Sequence, residues 1–312
     1  MIGKWLYIMA FAILAASCRP KDKVSGIVFP KQISSTNVGV SQVDNYRFDI
    51  YNDTKTDMTY RGNDFSMGNT TDIGLVCSLW KDSSKHSFVK VTYKKMIIEL
   101  HNKEFTQKID AASSDTSDIL TRIFRPFIGS SIQISLDSAD RIVQLSGAEE
   151  LRNRILASAR ELDEPVRKII EQQTVKMTGL DFFQRNLRGH LEIFPDSSIR
   201  IDDRWTRNEE TNDDLHLTTV AKYRLTNIKD SLAEITMDGS VASASQQATN
   251  LNGSPVKVDV TGKQNAFYSI NFRSGMLRSS TVISDLSGNV EVLGETVPVK
   301  IKVKKEIHSA RL

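Results

Sequence analysis

The sequence predicts an α+β fold in which a curved, mainly antiparallel sheet of half-barrel character packs its concave face against a helical insert. In residues 44–112 and 199–306, apolar residues alternate with polar ones in short runs, which is the period of strands with one buried face. In residues 113–129 and 146–192, the apolar residues recur at helical spacing instead. Because the sheet and the helices each have one apolar side, we expect the two layers to cover each other.

The N-terminal residues indicate export and the attachment of a lipid. The 12 apolar residues from Trp5 to Ala16 would span about 18 Å as a helix, whereas the hydrocarbon core of a bilayer is about 30 Å thick. The run is therefore too short for a permanent transmembrane helix and is typical of a signal peptide. Ala15-Ala16-Ser17-Cys18 resembles the bacterial lipobox, so we predict a lipoprotein signal peptide over residues 1–17 and lipidation of Cys18. The alternative is an ordinary secretory signal followed by an incidental cysteine.

A tether and the first strands are predicted to follow this signal. Residues 18–43 contain Pro, Gly and Ser without a sustained apolar period, which indicates a tether. The clearest alternation runs from Val89 to Tyr93 and slips by one residue at Lys94-Lys95, which predicts either a β-bulge or a turn. Cys77 is predicted to lie in the core of a strand. We expect one domain over residues 44–308.

Capping residues and prolines predict where the helices begin and end. Ser114 and Asp115 are the candidates for the N-cap of the helix in residues 113–129, and Pro126 predicts its end or a kink. A hairpin over residues 131–145 follows. We predict three helices in the insert, which begin at a Ser146–Glu149 capping box, at Pro165, and at Thr178 with Asp181. Their apolar stripes are Leu151, Ile155, Leu156 and Leu162, then Val166, Ile169 and Ile170, then Leu180, Phe183 and Leu187.

The last strand has the most regular pattern in the chain. Residues Val297 to Val303 alternate with Lys300, Lys302 and Lys304, which predicts one dry face and one cationic face. The cationic face, or the loop at Ser243–Pro255, would suit an interaction with an envelope protein or a glycan. The alternative is that these lysines protect a solvated sheet edge against aggregation.

Composition and motifs exclude several classes of function. The 41 Lys and Arg residues nearly balance 38 Asp and Glu, so the net charge of +3 is too small for a surface that follows nucleic-acid phosphates, and no nucleic-acid partner is expected. The sequence contains no nucleophile elbow or phosphate loop, and its five histidines lack the spacing of metal ligands. We therefore expect no catalytic residues, no metal and no cofactor.

Several segments resemble a known family. Ile193-Phe194-Pro195 and the run from Ile199 to Trp205 resemble the signature of an uncharacterised family of Bacteroidota envelope lipoproteins, catalogued as a domain of unknown function. The likeness extends over residues 44–306 and includes the strand at Val91 to Tyr93 and the hairpin at 131–145. In the family a glycine stands where this chain has Asp202. The resemblance implies an envelope location and this architecture, and it implies no reaction.

The resemblance also implies details of location and modification. In such bacteria, lipoproteins of the outer face have a cluster of acids after the cysteine, whereas Arg-Pro-Lys-Asp-Lys follows Cys18, so we expect an outer-membrane protein that faces the periplasm. Asp-Ser-aliphatic sites are O-glycosylated in these organisms, which makes Ser138 and Ser231 candidates. Ordinary turn chemistry of Asp and Ser is the competing interpretation of both sites.

A gap between a curved sheet and its helices would form an apolar cleft. We therefore predict a membrane-anchored protein that binds a hydrophobic small molecule or lipid. Trp80 and Trp205 are the candidates to line that cleft, although large aromatic residues in alternating strands are also typical of a core. The alternative function is a non-catalytic interaction or scaffold module.

Overall fold

The computed structural model describes residues 26–28, 43–82, 86–115, 117–137, 142–188, 192–195, 197–210, 217–243, 248–251, 254–292 and 294–312. Cys18, the signal peptide and most of the predicted tether lie outside these residues. The described part of the chain forms thirteen strands of one antiparallel sheet, with short helices after strands β4 and β6. The strands are β1 (Asp44–Tyr60), β2 (Asn63–Lys81), β3 (Ser87–Asn102), β4 (Thr106–Asp110), β5 (Ser131–Leu136), β6 (Ile142–Ser146), β7 (Arg204–Glu210), β8 (Leu217–Lys229), β9 (Leu232–Ser243), β10 (Ala248–Leu251), β11 (Ser254–Asn271), β12 (Leu277–Val292) and β13 (Glu295–Arg311). The helices are α1 (Ile119–Phe124), α2 (Ala148–Ser158), α3 (Glu164–Thr178) and α4 (Leu180–Phe183).

The first and last strands of the described chain lie in the middle of the sheet, and strands from the middle of the chain form its edges. Its order is β6-β5-β3-β2-β1-β13-β12-β11-β9-β8-β7, with β4 paired to β3 and β10 paired to β11. The chain proceeds from β1 to the edge strand β6, crosses through α2–α4 to the opposite edge strand β7, and returns to β13 beside β1. The sheet is curved and unclosed, which confirms the predicted α+β fold of half-barrel character.

One face of the sheet, called the inner face below, packs against the helices. Its side chains include Phe48, Leu75 and Tyr93 on the first strands and Ile235 and Ile307 on the returning ones, all buried in one cluster. They share a face because cross-strand partners and residues two apart point to the same side. The cluster also contains Leu151, Ile155, Ile170, Phe183 and Leu187 of the insert.

The helices cover only part of the inner face. A hydrogen bond of 2.6 Å from the Tyr93 hydroxyl to the Met177 carbonyl joins α3 to β3. Farther along the strands, a second apolar cluster has buried members that all come from strands. They are Leu217, Val241, Val256, Val258, Val260, Leu286, Val297, Val299 and Ile301. The apolar lining of the sheet therefore extends beyond the residues that the helices contact.

The slip at Lys94-Lys95 is a β-bulge. Strands β2 and β3 continue through it as one ladder, in which Gly74 pairs with Lys95, Leu75 pairs with Tyr93, and Lys94 has no partner residue. The extra residue keeps both Tyr93 and Met96 buried on the inner face. The alternative interpretation, a turn between two strands, is wrong.

The helix ends differ from the predicted caps. Helix α1 begins after Asp118, whose carboxylate accepts the Thr121 N–H at 2.8 Å, and a 3₁₀ turn containing Pro126 ends it. Helix α2 begins after Gly147 at φ +86°, so the predicted Ser146–Glu149 box is absent. The Thr178 hydroxyl donates to the Thr174 carbonyl within α3, and the N-cap of α4 is Gly179. In each case a neighbouring residue meets the backbone geometry better than the predicted one.

The apolar stripe of α3 is also narrower than predicted. Ile170 is buried, whereas Val166 and Ile169 are each 43% exposed. Leu180 of α4 is 42% exposed, while Phe183 is fully buried. None of the helices in the described part of the chain is long and apolar enough to cross a bilayer.

Candidate functional site

A cleft of about 530 Å³ opens between the insert and the inner face, and we call it the insert cleft. Its floor is the inner face of β11, β12 and β13. One wall is the end of α4 with the turn that follows, and the other is β7 with the segment before it. Its lining residues include Asp181, Arg185, Glu192, Arg207, Glu209, Glu210, Tyr268, Ser280, Val282, Lys305 and Ile307.

Hydrogen bonds from side chains to backbone carbonyls stabilise the two walls. Residues Gln184–Arg188 form one π-helical turn, in which the Asn186 side chain donates to the Phe182 carbonyl at 2.8 Å. On the other wall, the Trp205 indole donates to the Ile193 carbonyl at 2.6 Å, and the Arg207 guanidinium donates to the Phe194 carbonyl. These hydrogen bonds stabilise the turn after α4 and join β7 to the segment before it.

Lys305 lies half-buried on the floor of the insert cleft. On the inner face it is flanked by Val303 and Ile307 along β13, by Val282 on β12 and by Asn52 on β1. No acid forms an ion pair with it among the residues that the structure describes. Burial, with a smaller effect of the Arg185 charge, lowers the pKa of Lys305 to about 8.

Two of the acids that line the cleft, Glu209 and Glu192, contact other side chains. Glu209 accepts a hydrogen bond from the Tyr223 hydroxyl, and burial raises the pKa of that carboxyl. Burial also raises the pKa values of Tyr223 and Tyr268. The Gln184 amide lies 3.5 Å from a carboxylate oxygen of Glu192. Asp181, Glu210 and the cations Arg185, Arg207 and Lys305 also line the cleft.

The two tryptophans predicted to line a cleft have other neighbours. Trp80 stacks on Phe88 with ring centroids 5.5 Å apart, and Trp205 stacks on Tyr223 at the same distance. Neither tryptophan is among the residues that line the insert cleft. Trp205 instead positions one of its walls.

The cationic face predicted for the last strand lies on the outer side of the sheet and is matched by acids. Lys302 is 3.8 Å from Asp285, Lys304 is 3.1 Å from Glu306, and Lys300 lies opposite Asp57. Strand β13 is central, between β1 and β12, so the interpretation of these lysines as guards of a sheet edge is wrong. The side chains of the loop at Ser243–Pro255 lie mostly outside the described residues.

The candidate modification sites fall in different parts of the chain. Ser231 lies in the turn between β8 and β9, next to Asp230 at φ +57°, and its hydroxyl accepts a bond of 3.2 Å from Asn271. Ser138, like Cys18, lies outside the described residues. Cys77 is 1% exposed on the inner face, and burial raises the pKa of its thiol, as suits a core residue.

Lys305 was missed by the sequence analysis, although the pattern contains a signal for it. The predicted alternation ends at Val303, two residues before Lys305. Lys304 and Lys305 are adjacent, so their side chains must point to opposite faces of the strand. Extending the alternation to Ile307 places Lys305 on the apolar face.

Solved structures show only distant likenesses to this chain. None of the curated proteins matches it. A chain from a structure of lipid–protein interactions in lipovitellin is 9% identical with a TM-score of 0.41, and the likeness covers 87% of this chain and 25% of that one. This chain therefore spans about a quarter of the length of the lipovitellin chain. An outer membrane channel from Pseudomonas putida F1 is 7% identical with a TM-score of 0.20, over 93% of this chain and 99% of the channel.

The family is shown by the sequence match. Residues 85–277, which are well over half of the chain, match the family of unknown function DUF6263. The match covers β3 to the start of β12, including the insert and both walls of the cleft. It confirms the resemblance to an uncharacterised family. The chain belongs to this family of unknown function.

Proposed function

We propose that this chain is a lipid-anchored, non-catalytic protein of the bacterial cell envelope that holds a hydrophobic or lipid ligand between its insert and the inner face of its sheet. One observation carries the ligand proposal. The apolar inner face continues past the helices, and the insert cleft opens at the boundary between the covered and uncovered parts.

The size of the cleft and the apolar residues on its floor support this proposal. Its volume of about 530 Å³ falls within the range of about 300–1,000 Å³ that is common for small-molecule sites. From Ile307 and Val282 on its floor, inner-face residues lead along β13 through Val303 to Ile301 and Val299 of the second cluster. A ligand seated in the cleft would therefore meet apolar side chains along one direction of the strands.

The anchoring part of the proposal rests on the sequence of residues 1–18. Acyl chains on Cys18 would contribute about 0.8 kcal/mol for each buried CH₂ group, and two or more chains give stable attachment. The lack of an acidic cluster after Cys18 supports an outer-membrane location facing the periplasm. The folded body would then lie in water beside the membrane that supplies its ligand.

An uncharged fluorescent probe tests ligand binding. We expect the full chain carrying Cys18→Ser to bind the methyl ester of cis-parinaric acid, and to copurify with lipid that mass spectrometry detects. Val282→Trp, which fills the floor of the cleft, should weaken the binding of the ester at least about tenfold, since it removes the space for the ligand. Fluorescence titration measures this effect.

A variant of the next residue is the matched control. Ile283 is 49% exposed, and its side chain points away from the inner face, so Ile283→Trp should leave the affinity for the ester unchanged. A protein that copurifies with no lipid and does not bind the ester would contradict the proposal. It would favour an interaction or scaffold module instead.

A further inference from the structure

We propose that Lys305 and Arg185 bind the anionic headgroup of an amphiphilic ligand, a carboxylate or phosphate joined to an acyl chain, at the insert cleft. This inference rests on the proposed function and names the chemical class of its ligand.

The first argument is the contrast between Lys305 and the lysines beside it on β13. Lys302 and Lys304 point outward and lie near Asp285 and Glu306. Lys305 points inward, where its neighbours on the sheet are the apolar Val282, Val303 and Ile307 together with Asn52, while the walls of the cleft carry charged residues. A half-buried charge that forms no ion pair is costly, so a lysine at such a position indicates a role in binding.

The second argument is the arrangement of charge across the cleft. Arg185, on the wall opposite β7, carries the same sign as Lys305 and acts on its ionisation. The Arg185 side chain makes a bond of 3.3 Å to the Asp181 carbonyl, and no ion pair to it occurs in the described part of the chain. Lys305 and Arg185 repel each other across the cleft, and an anion between them would relieve that repulsion. Four acids, Asp181, Glu192, Glu209 and Glu210, line the same cleft, and none of them forms an ion pair with either cation in the described part of the chain.

The third argument is the continuity between this charged point and the apolar lining. Val303 follows Lys305 on the inner face and packs against the second apolar cluster, which begins with Ile301. A headgroup at Lys305 would therefore place an attached acyl chain along β13. A free anion would make no contact with this apolar lining, and an uncharged lipid would form no ion pair with Lys305.

A matched pair of probes tests the headgroup separately from the chain. We expect the full chain carrying Cys18→Ser to bind cis-parinaric acid about tenfold more tightly than its methyl ester. Adding Lys305→Met should remove most of this preference for the acid over the ester, because only Arg185 would then face the headgroup. Lys302→Met, on the outer face of the same strand, should keep the preference. Circular dichroism checks that each variant is folded.

Competition identifies the source of the anion. A monoacylglycerol phosphate should displace the bound acid, while inorganic phosphate at the same concentration should not. Displacement by inorganic phosphate would overturn the inference, since the site would then need no acyl chain.

The outcomes separate the inference from the proposed function. If the ester binds and the acid shows no preference, or if Lys305→Met keeps the preference, the headgroup site is wrong while the ligand proposal stands. If neither the acid nor the ester binds to the folded protein, both are wrong.

The preference for the acid should also depend on pH. The pKa of Lys305 is lowered to about 8, so the lysine is charged below that pH and loses its proton above it. The affinity for the acid should therefore fall as pH rises above about 8, while the affinity for the ester stays constant. The other charged or titratable groups that face the cleft are Asp181, Arg185, Glu192, Arg207, Glu209, Glu210 and Tyr268.

A second variant assigns this pH dependence to one residue. Lys305→Arg keeps its charge throughout this range, so it should bind the acid with a flat pH profile. A profile in Lys305→Arg that still falls above about pH 8 would contradict the assignment.

Discussion

Replacing Gly262 by alanine is expected to destabilise the fold by more than about 3 kcal/mol, or to prevent folding. A Cβ atom at this position would lie 2.1 Å from the Asp285 carbonyl oxygen and 2.8 Å from the Leu286 Cα. Both atoms belong to the backbone of the neighbouring strand β12, so no side chain can move to make room. Because domains are stable by only about 5–15 kcal/mol, the loss should be evident in urea unfolding followed by circular dichroism.

Gly294 provides the matched control for this substitution. Its φ is +82°, and a Cβ there would meet nothing within 4 Å. Gly294→Ala should therefore cost only the backbone strain, about 1 kcal/mol. Equal losses in the two variants would show that the close approach of β11 and β12 does not constrain the sheet.

Replacing Cys18 by serine is expected to move the protein from the membrane fraction to the soluble fraction. Without the thiol no acyl chain can be attached, and the net charge of +3 is too small to hold the protein on a membrane. Fractionation of cells after ultracentrifugation measures the shift, and labelled palmitate should enter the native chain but not the variant.

Cys77→Ala is the control for the anchor, because the buried Cys77 is the other cysteine of the sequence. This variant should keep both the label and the membrane association. A Cys18→Ser protein that still sediments with membranes would contradict the proposed anchor and, with it, the proposed location.

Periodicity predicted the buried faces of the strands well, because the burial of one face produces the alternation. The alternation at Val89 to Tyr93 and at Val297 to Val303 corresponds to β3 and β13, and the predicted hairpin at 131–145 corresponds to β5 and β6. Periodicity gives no information about which strands are neighbours. The pairing of β1 with β13 therefore could not be predicted, and an edge position for the last strand was one of the two alternatives left open.

The composition of the cleft could not be predicted for the same reason. The cleft combines Arg185, Glu209 and Lys305, which come from the insert, β7 and β13, so their proximity depends on the order of strands. The conformation of Asp202 is a further example, since it adopts φ +74° and its carboxylate accepts a hydrogen bond of 2.6 Å from Arg224. A local ion pair there accompanies a backbone conformation that the sequence pattern alone disfavours.

The pairing of β1 with β13 has a consequence for how the molecule is made. These neighbours are the earliest and the latest strands of the described chain to be synthesised, and their register joins residues such as Tyr46 and Arg311. The middle of the sheet cannot be completed until the C-terminal strand has left the ribosome, and until then one side of β1 has unpaired backbone groups. The two halves of the sheet can therefore join only after β13 has been synthesised, which makes this pairing a late step in folding.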